Sequence, residues 1–366
     1  MIVRDPETTA VVLALASVGK IGPVKLRTIF SQAAQPTDIL HWTIEQFCAV
    51  PGIQRELAGR IIRKLDIDYG HRLIEWAGKN GYEIITIVDS DYPASLREQY
   101  DPPPFLFVAG TVTAADQKAV AIVGSRNASE YGRTTASTLA GELCRYGVTI
   151  VSGLAIGVDT SSHRGAIDAG GRTIAVLGSG IDVIYPPENR GLYRQISDHG
   201  AVISEFFPGV EPSPGHFPRR NRVIAGLVQA VVVVEAGTKS GALVTADITV
   251  AQGKPLFAVP GNLGSRMSKG TNELIKSGAH LLTSIEDIFS LLPQLKNDYI
   301  GPVKAAAEGL TEGEQVIYNC LSDKPLQIDT LVRLSGLSVS GVSSYLLSLE
   351  LRGCARQISG KRFIAV

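Results

Sequence analysis

Between residues 82 and 290 short β-branched runs alternate with stretches of helical periodicity, and that rhythm constrains the fold more than any other feature of the chain. The runs are EIITIV (83–88), AVAIVG (119–124), VTIVSG (148–153), TIAVLG (173–178), AVISE (201–205), AVVVVEA (230–236) and PLFAVP (255–260). Such alternation builds βαβ units, which give a parallel sheet with helices on both faces. Most runs end in glycine or proline, so loops gather at the carboxyl edge of the sheet, where open α/β sheets bind ligands. The predicted class is α/β, with an extended Rossmann-like central domain over residues 71–295.

Residues 1–70 are helical in pattern and carry a weak internal repeat, SVGKIGPVKL (17–26) against AVPGIQRELA (49–58). Short glycine-containing turns between two helices are the hairpins of helix-hairpin-helix modules, whose second helix can turn its N-terminal N–H groups toward a phosphate. Each copy is imperfect, with Lys20 at the first glycine of one and Gln54 at the second glycine of the other. A DNA-facing module and a plain helical bundle both remain open here. The stretch 292–309 reads as a linker. Residues 308–366 then offer three helical patterns and a small hairpin turning at Ser359–Gly360, which predicts a winged helix. Its third helix, SVSGVSSYLLSLEL, has no Arg or Lys for bases or phosphates, which argues against a sequence-specific regulator. Basic residues of this segment (Lys324, Arg333, Arg352, Arg356, Lys361, Arg362) are balanced by acidic ones, so it is neutral. Tyr345, Leu346, Leu347, Leu349 and Leu351 are expected to crowd toward a core or a partner.

Several chemistries lack their residues. No Gly-Lys pair is followed by Ser or Thr, so no P-loop is present. LGSGIDV (177–183) puts Val183 where a third dinucleotide glycine would fall, and no nucleophile elbow occurs. The six histidines show no metal spacing, so neither a metal nor a cofactor is expected. His163, four residues after Asp159, is expected to serve an intrahelical or loop-bracing hydrogen bond. The four cysteines are far apart and read as free thiols of a reducing cytoplasm. The apolar runs are far short of the roughly 20 residues of a membrane helix, and the first residues do not read as a secretory signal. A cytoplasmic protein without a membrane partner is the expectation. Lys+Arg and Asp+Glu both total 35, so any nucleic-acid site has to be a local basic groove.

The loops supply such groups. Gly124, Ser125 and Arg126 stand ahead of a helix starting near Tyr131, and SGLAIGVD (152–159) brings Gly153. HFPRRNRVIAGL (216–227) puts Arg219, Arg220, Asn221 and Arg222 at a helix start. EAGTKSGALVTA turns through Ser240 and Gly241 into another helix, and SKGTNELI adds Lys269 at a further one. Helix N-termini and arginine forks favour phosphate. Several around one edge point to an extended anion, with Arg126 and an Arg220–Arg222 pair on its phosphates.

These residues also carry a family resemblance. VAIVGSRNASEYG, SGLAIGVDTSSHRGAIDAGGRTIAVLGSGIDVIYPPEN, ISEFFPGVEPSPGHFPRRNRVIAGL, VVVEAGTKSGALVTA and GKPLFAVPG followed by KGTNELIKSGA resemble the DNA-processing protein DprA (Smf) family. The likeness covers about residues 80–290, and the flanking modules fit the family's three-part layout. One departure is Ser162 before His163, where the family often has alanine. The resemblance implies a homodimer that binds single-stranded DNA and loads RecA onto it in natural transformation, a mediator rather than an enzyme. The rival is a nucleotide-processing enzyme similar to the lysine-decarboxylase-like phosphoribohydrolases, with Glu235 or Glu205 as its catalytic carboxylate. EAGTKSG lacks the double glycine of that family's turn.

Overall fold

The computed structural model describes residues 4–297, 310–321, 325–352, 354–358 and 362–365. The runs read from the sequence are strands: β1 (Glu83–Thr86), then, after a run not foreseen, β2 (Phe105–Gly110), β3 (Ala119–Val123), β4 (Thr149–Ser152), β5 (Thr173–Val176), β6 (Gly200–Ser204), β7 (Ala230–Val233) and β8 (Leu256–Ala258). A two-residue β9 (His280–Leu281) completes a nine-stranded sheet of order β1-β2-β6-β5-β4-β3-β7-β8-β9. From β6 to β9 all pairs are parallel. To the parallel sheet expected from the sequence the structure adds one antiparallel element, since β2 runs antiparallel to both β1 and β6. Residues 87–104 connect β1 to β2 and bring the chain back antiparallel to it.

Strand β3 shows why both faces are covered. Its odd positions, Ala119, Ala121 and Val123, lie in one apolar core, and Val120 and Ile122 lie in another. The helices in chain order are α1 (Pro6–Ser17), α2 (Pro23–Gln32), α3 (Ile44–Ala49), α4 (Arg55–Lys64), α5 (Ile67–Lys79), α6 (Ala94–Arg97), α7 (Glu130–Cys144), α8 (Val158–Asp168), α9 (Arg190–His199), α10 (His216–Leu227), α11 (Gly241–Ala251), α12 (Lys269–Lys276) and α13 (Ile285–Leu291). Leu139 and Leu143 of α7 pack on the even face of β3, and Val223 and Ile224 of α10 on the odd face. The chain lays β4, β5 and β6 on one side of β3 and β7, β8 and β9 on the other. The β3–β7 boundary is therefore a topological switch point, and it opens a crevice at the strand ends.

The N-terminal helices do not form a detached bundle. Val11, Leu13 and Leu15 of α1 and Leu73 of α5 belong to the same core as Ile85 of β1 and Phe107 of β2. Helix α5 runs across the expected boundary at residue 70 and ends just before β1. The two repeat segments are turns entering α2 and α4, with Gly19, Lys20 and Gly52 all at positive φ.

The C-terminal segment contains α14 (Glu312–Cys320), α15 (Ile328–Ser335) and α16 (Val339–Leu351), with β10 (Leu326–Gln327), β11 (Ala355–Ile358) and β12 (Arg362–Ala365) in a sheet of order β10-β12-β11. This is the predicted winged helix. Val342, Leu346 and Leu349 of α16 enter its core with Ile317, Leu331 and Phe363. Leu347 lies outside this core and is 59% exposed. The expected linker residues 298–309, the turn at Ser359–Gly360, Lys324 and Lys361 lie outside the described residues.

Candidate nucleic-acid interface

Where β3 ends, the chain has no room for a side chain. A Cβ on Gly124 would lie 2.6 Å from Val158 Cγ2 and 3.0 Å from the Glu235 carbonyl oxygen. The next residue ties the two sides of the switch point together, since the Ser125 N–H donates to that same carbonyl at 2.7 Å. Ser129 then caps α7, and the Glu235 carboxylate accepts from both its N–H (2.8 Å) and its hydroxyl (2.5 Å). Across the crevice Ser240 caps α11, accepting from the Ala242 N–H at 3.3 Å. Lys269 opens α12, whose Gly270 N–H donates to the Ala236 carbonyl at 2.8 Å.

These turns enclose a cleft of about 720 Å³. Its wall brings together Gly124, Ser125, Arg126, Arg220, Asn221, Ser240, Gly241 and Lys269 of the residues expected from sequence. It adds Lys239, Arg266 and Phe217, none of which was singled out. Phe217 was visible only as part of HFPRRN; Arg266 sits alone in a loop with no pattern to mark it. Among the described residues Asp159 is the only carboxylate on the wall. Arg126, Lys239, Arg266 and Lys269 are all exposed and have no ion pair among the described residues. The Arg126 guanidinium stands 4.9 Å from the centre of the Phe217 ring. A smaller hollow, about 50 Å³, shares Arg126, Phe217 and Arg220 with the cleft and is further lined by Gly153, Ile156 and Tyr185.

The arginines of α10 have divergent fates, which corrects the expected Arg220–Arg222 pair. Arg220 is 6% exposed and donates through Nη1 to the carbonyls of Gly153 and Val176, at the ends of β4 and β5. Gly153 makes room for it, because a Cβ there would lie 2.2 Å from Arg220 Nη1. Asp159 holds the same loop by accepting from the Gly153 N–H at 3.1 Å and the Ala155 N–H at 3.4 Å. Burial pushes the Arg220 guanidinium down to about 10, still charged at neutral pH, while Asp159 opposes that shift; burial likewise pushes the Asp159 carboxyl up. Arg219 and Arg222 instead meet the buried Glu205 carboxylate, outside the cleft. Arg222 also donates to the Asp101 carbonyl.

Asp159 and His163 do not bond to each other. His163 Nδ1 lies 2.7 Å from the Thr173 hydroxyl, which itself donates to the Ile150 carbonyl at 2.9 Å. That hydroxyl must accept from the ring, so Nδ1 carries the proton. Burial lowers His163 to about 3 and keeps it neutral. Both carboxylates of the rival enzyme are engaged, Glu235 with Ser129 and Glu205 with two arginines.

A family model for DNA recombination-mediator protein A matches residues 83–293, more than half of the chain. The chain belongs to the DprA/Smf family. A model of the DprA winged helix domain matches residues 302–361, and one of a SAM-like helix-hairpin-helix tandem matches residues 12–66. The protein Smf of Synechocystis sp. is 31% identical, over 96% of this chain and 97% of its own. The DNA processing protein DprA of Bacillus subtilis is 42% identical over 61% of this chain and 76% of its own. Among solved structures, DNA processing protein A from Streptococcus pneumoniae superposes with a TM-score of 0.68 at 31% identity, covering 79% of this chain and 98% of that one. A structure describing the single-stranded DNA binding mode of DNA processing protein A from Helicobacter pylori gives 0.54 at 32% identity, covering 59% and 97%. No described helix is long and apolar enough to cross a membrane.

Proposed function

We propose that this DprA/Smf family member is a cytoplasmic recombination mediator that binds single-stranded DNA in the switch-point cleft. The observation that carries the reading is the convergence of Arg126, Lys239, Arg266 and Lys269, unpaired and exposed, beside the face of Phe217. Cations that track a backbone and an aromatic face that stacks a base are the two requirements for holding a single strand. A duplex keeps its bases stacked inside and offers Phe217 nothing. The proposed phosphate contacts are Arg126, Lys269 and the turns at Gly124–Ser125 and Ser240–Gly241. Arg220, Asn221 and Gly153 shape the wall, and Arg219 and Arg222 are assigned to bracing Glu205. The Helicobacter pylori relative and the matching family model support the strand and the mediator role.

The chain acts as a homodimer, makes no use of a cofactor, and hands its strand to RecA during natural transformation. Single- and double-stranded oligonucleotides titrated across a salt series test the first claim. Tighter binding of the single strand, with a steep salt dependence, supports it. Equal affinity for both forms contradicts it. Faster RecA assembly on strands carrying this protein tests the second.

A further inference from the structure

The charge crowded into the cleft exceeds what the interior of a strand would bring. A polymer carries one negative charge per nucleotide. A crevice of about 720 Å³ falls within the range that takes one small ligand. Yet Arg126, Lys239, Arg266 and Lys269 all line it, without a paired carboxylate on any of them. Arg220 does not add to this surplus, because the wall's one carboxylate, Asp159, lies close enough to offset it. Like charges that line one cleft are best offset by the occupant with most charge per volume. An internal phosphodiester carries a single charge; a terminal phosphomonoester carries nearly two, with three acceptor oxygens. The N-termini of α11, capped by Ser240, and of α12 border the same space and add partial positive charge.

We infer that the cleft is selective for a nucleotide that ends in a phosphate, either the phosphorylated end of a strand or a free nucleoside phosphate. The inference rests on the strand-binding reading and adds a preference for ends and a route to inhibition. With the terminal phosphate among the four cations, its base reaches the Phe217 face. Free nucleoside phosphates, which share that chemistry, then compete with DNA and make strand capture sensitive to the nucleotide pool.

The test compares one labelled oligonucleotide in 5′-hydroxyl, 5′-phosphate and 3′-phosphate forms by fluorescence anisotropy. Magnesium-free nucleoside monophosphate, triphosphate and inorganic triphosphate serve as competitors. The expected result is that one phosphorylated form binds at least about tenfold tighter than the hydroxyl form, the effect of about one charge-assisted hydrogen bond. The triphosphate should displace the hydroxyl oligonucleotide at lower concentration than the monophosphate. In Lys269→Ala and Arg266→Ala the advantage of the phosphate end should shrink toward unity, while thermal unfolding stays unchanged. Preference for the end without displacement assigns the site to strand ends; displacement without end preference assigns it to free nucleotides. Equal binding of all three oligonucleotides, with no displacement by millimolar triphosphate, overturns the inference and leaves strand binding intact. If no oligonucleotide binds, the strand reading fails, and calorimetry with the nucleotides alone decides whether the phosphate preference survives.

Discussion

Arg222→Ala separates a structural arginine from a phosphate contact. In the folded chain the Arg222 guanidinium donates to the Glu205 carboxylate and to the Asp101 carbonyl, and its side chain is only 10% exposed. Truncation leaves a carboxylate with 1% side-chain exposure facing Arg219 alone, at 3.2 Å from a side chain that is half in solvent. Removing one partner of a buried pair costs about 3–5 kcal/mol. The remaining arginine offsets part of this, so about 3 kcal/mol is expected, or a midpoint shift near 1 M in urea for a slope of about 3 kcal/mol per M. Burial already raises the Glu205 carboxyl above its ordinary value of 4.5, against the pull of Arg222, and the variant raises it further. A carboxyl raised in the folded state favours folding below its unfolded pKa and loses that contribution as pH rises through the folded one. The loss in Arg222→Ala is therefore largest at neutral and alkaline pH and shrinks as pH falls toward 4.5. Urea melts at several pH values measure it, with Arg222→Met/Glu205→Gln expected to recover much of the lost stability. Oligonucleotide affinity of the folded variant should stay within about threefold, with an unchanged salt slope. A variant as stable as the parent that loses one unit of salt slope would refute the assignment and return Arg222 to the phosphates.

Arg126→Ala should weaken binding equally for all sequences and lower the salt slope by about one unit, read from oligonucleotide titrations at several salt concentrations. Removing the winged helix by ending the chain after Asn297 should leave affinity within a few-fold, because α16 presents Val339 and Leu347 to solvent and no cation. A loss of about 1.4 kcal/mol, tenfold, would show that this module grips the strand. Light scattering of the full chain should give twice the monomer mass. Gly153→Ala should destabilise the fold and reduce strand binding together, since the added Cβ would lie 2.2 Å from Arg220 Nη1 and push it off the ends of β4 and β5.

The parts of this molecule that follow local rules were legible. Runs such as AVAIVG and TIAVLG are strands because β-branched residues stop at a glycine that has to turn, and Gly124 turns where a Cβ would strike Val158. Ser240 and Lys269 were placed correctly at helix starts for the same reason. Strand β2 escaped notice because Pro102, Pro103 and Pro104 precede its apolar run and read as loop. Its antiparallel direction depends on a connection, not on its own residues. Lys239 and Arg266 were missed because a lone cation in a loop has no period; only the folding of two distant loops brings them into one cleft.

The three arginines of α10 mark the boundary between what could and could not be read. Once HFPRRNRVIAGL is taken as a helix, residues three apart share a face and residues two apart do not. Arg219 and Arg222 then share a face and Arg220 points elsewhere, so helical geometry alone sets Arg220 and Arg222 on different faces. What the helix could not disclose is the partner on each side. Glu205 ends up buried beneath one face because β6 carries it there, just beyond Ser204. The open carbonyls of Gly153 and Val176 meet the other because β4 and β5 are neighbours in the sheet. Arg126, on a loop between β3 and α7, meets no buried acid and stays in the cleft over Phe217. The same side chain thus becomes a brace wherever the fold supplies an acceptor and a ligand contact where it supplies none.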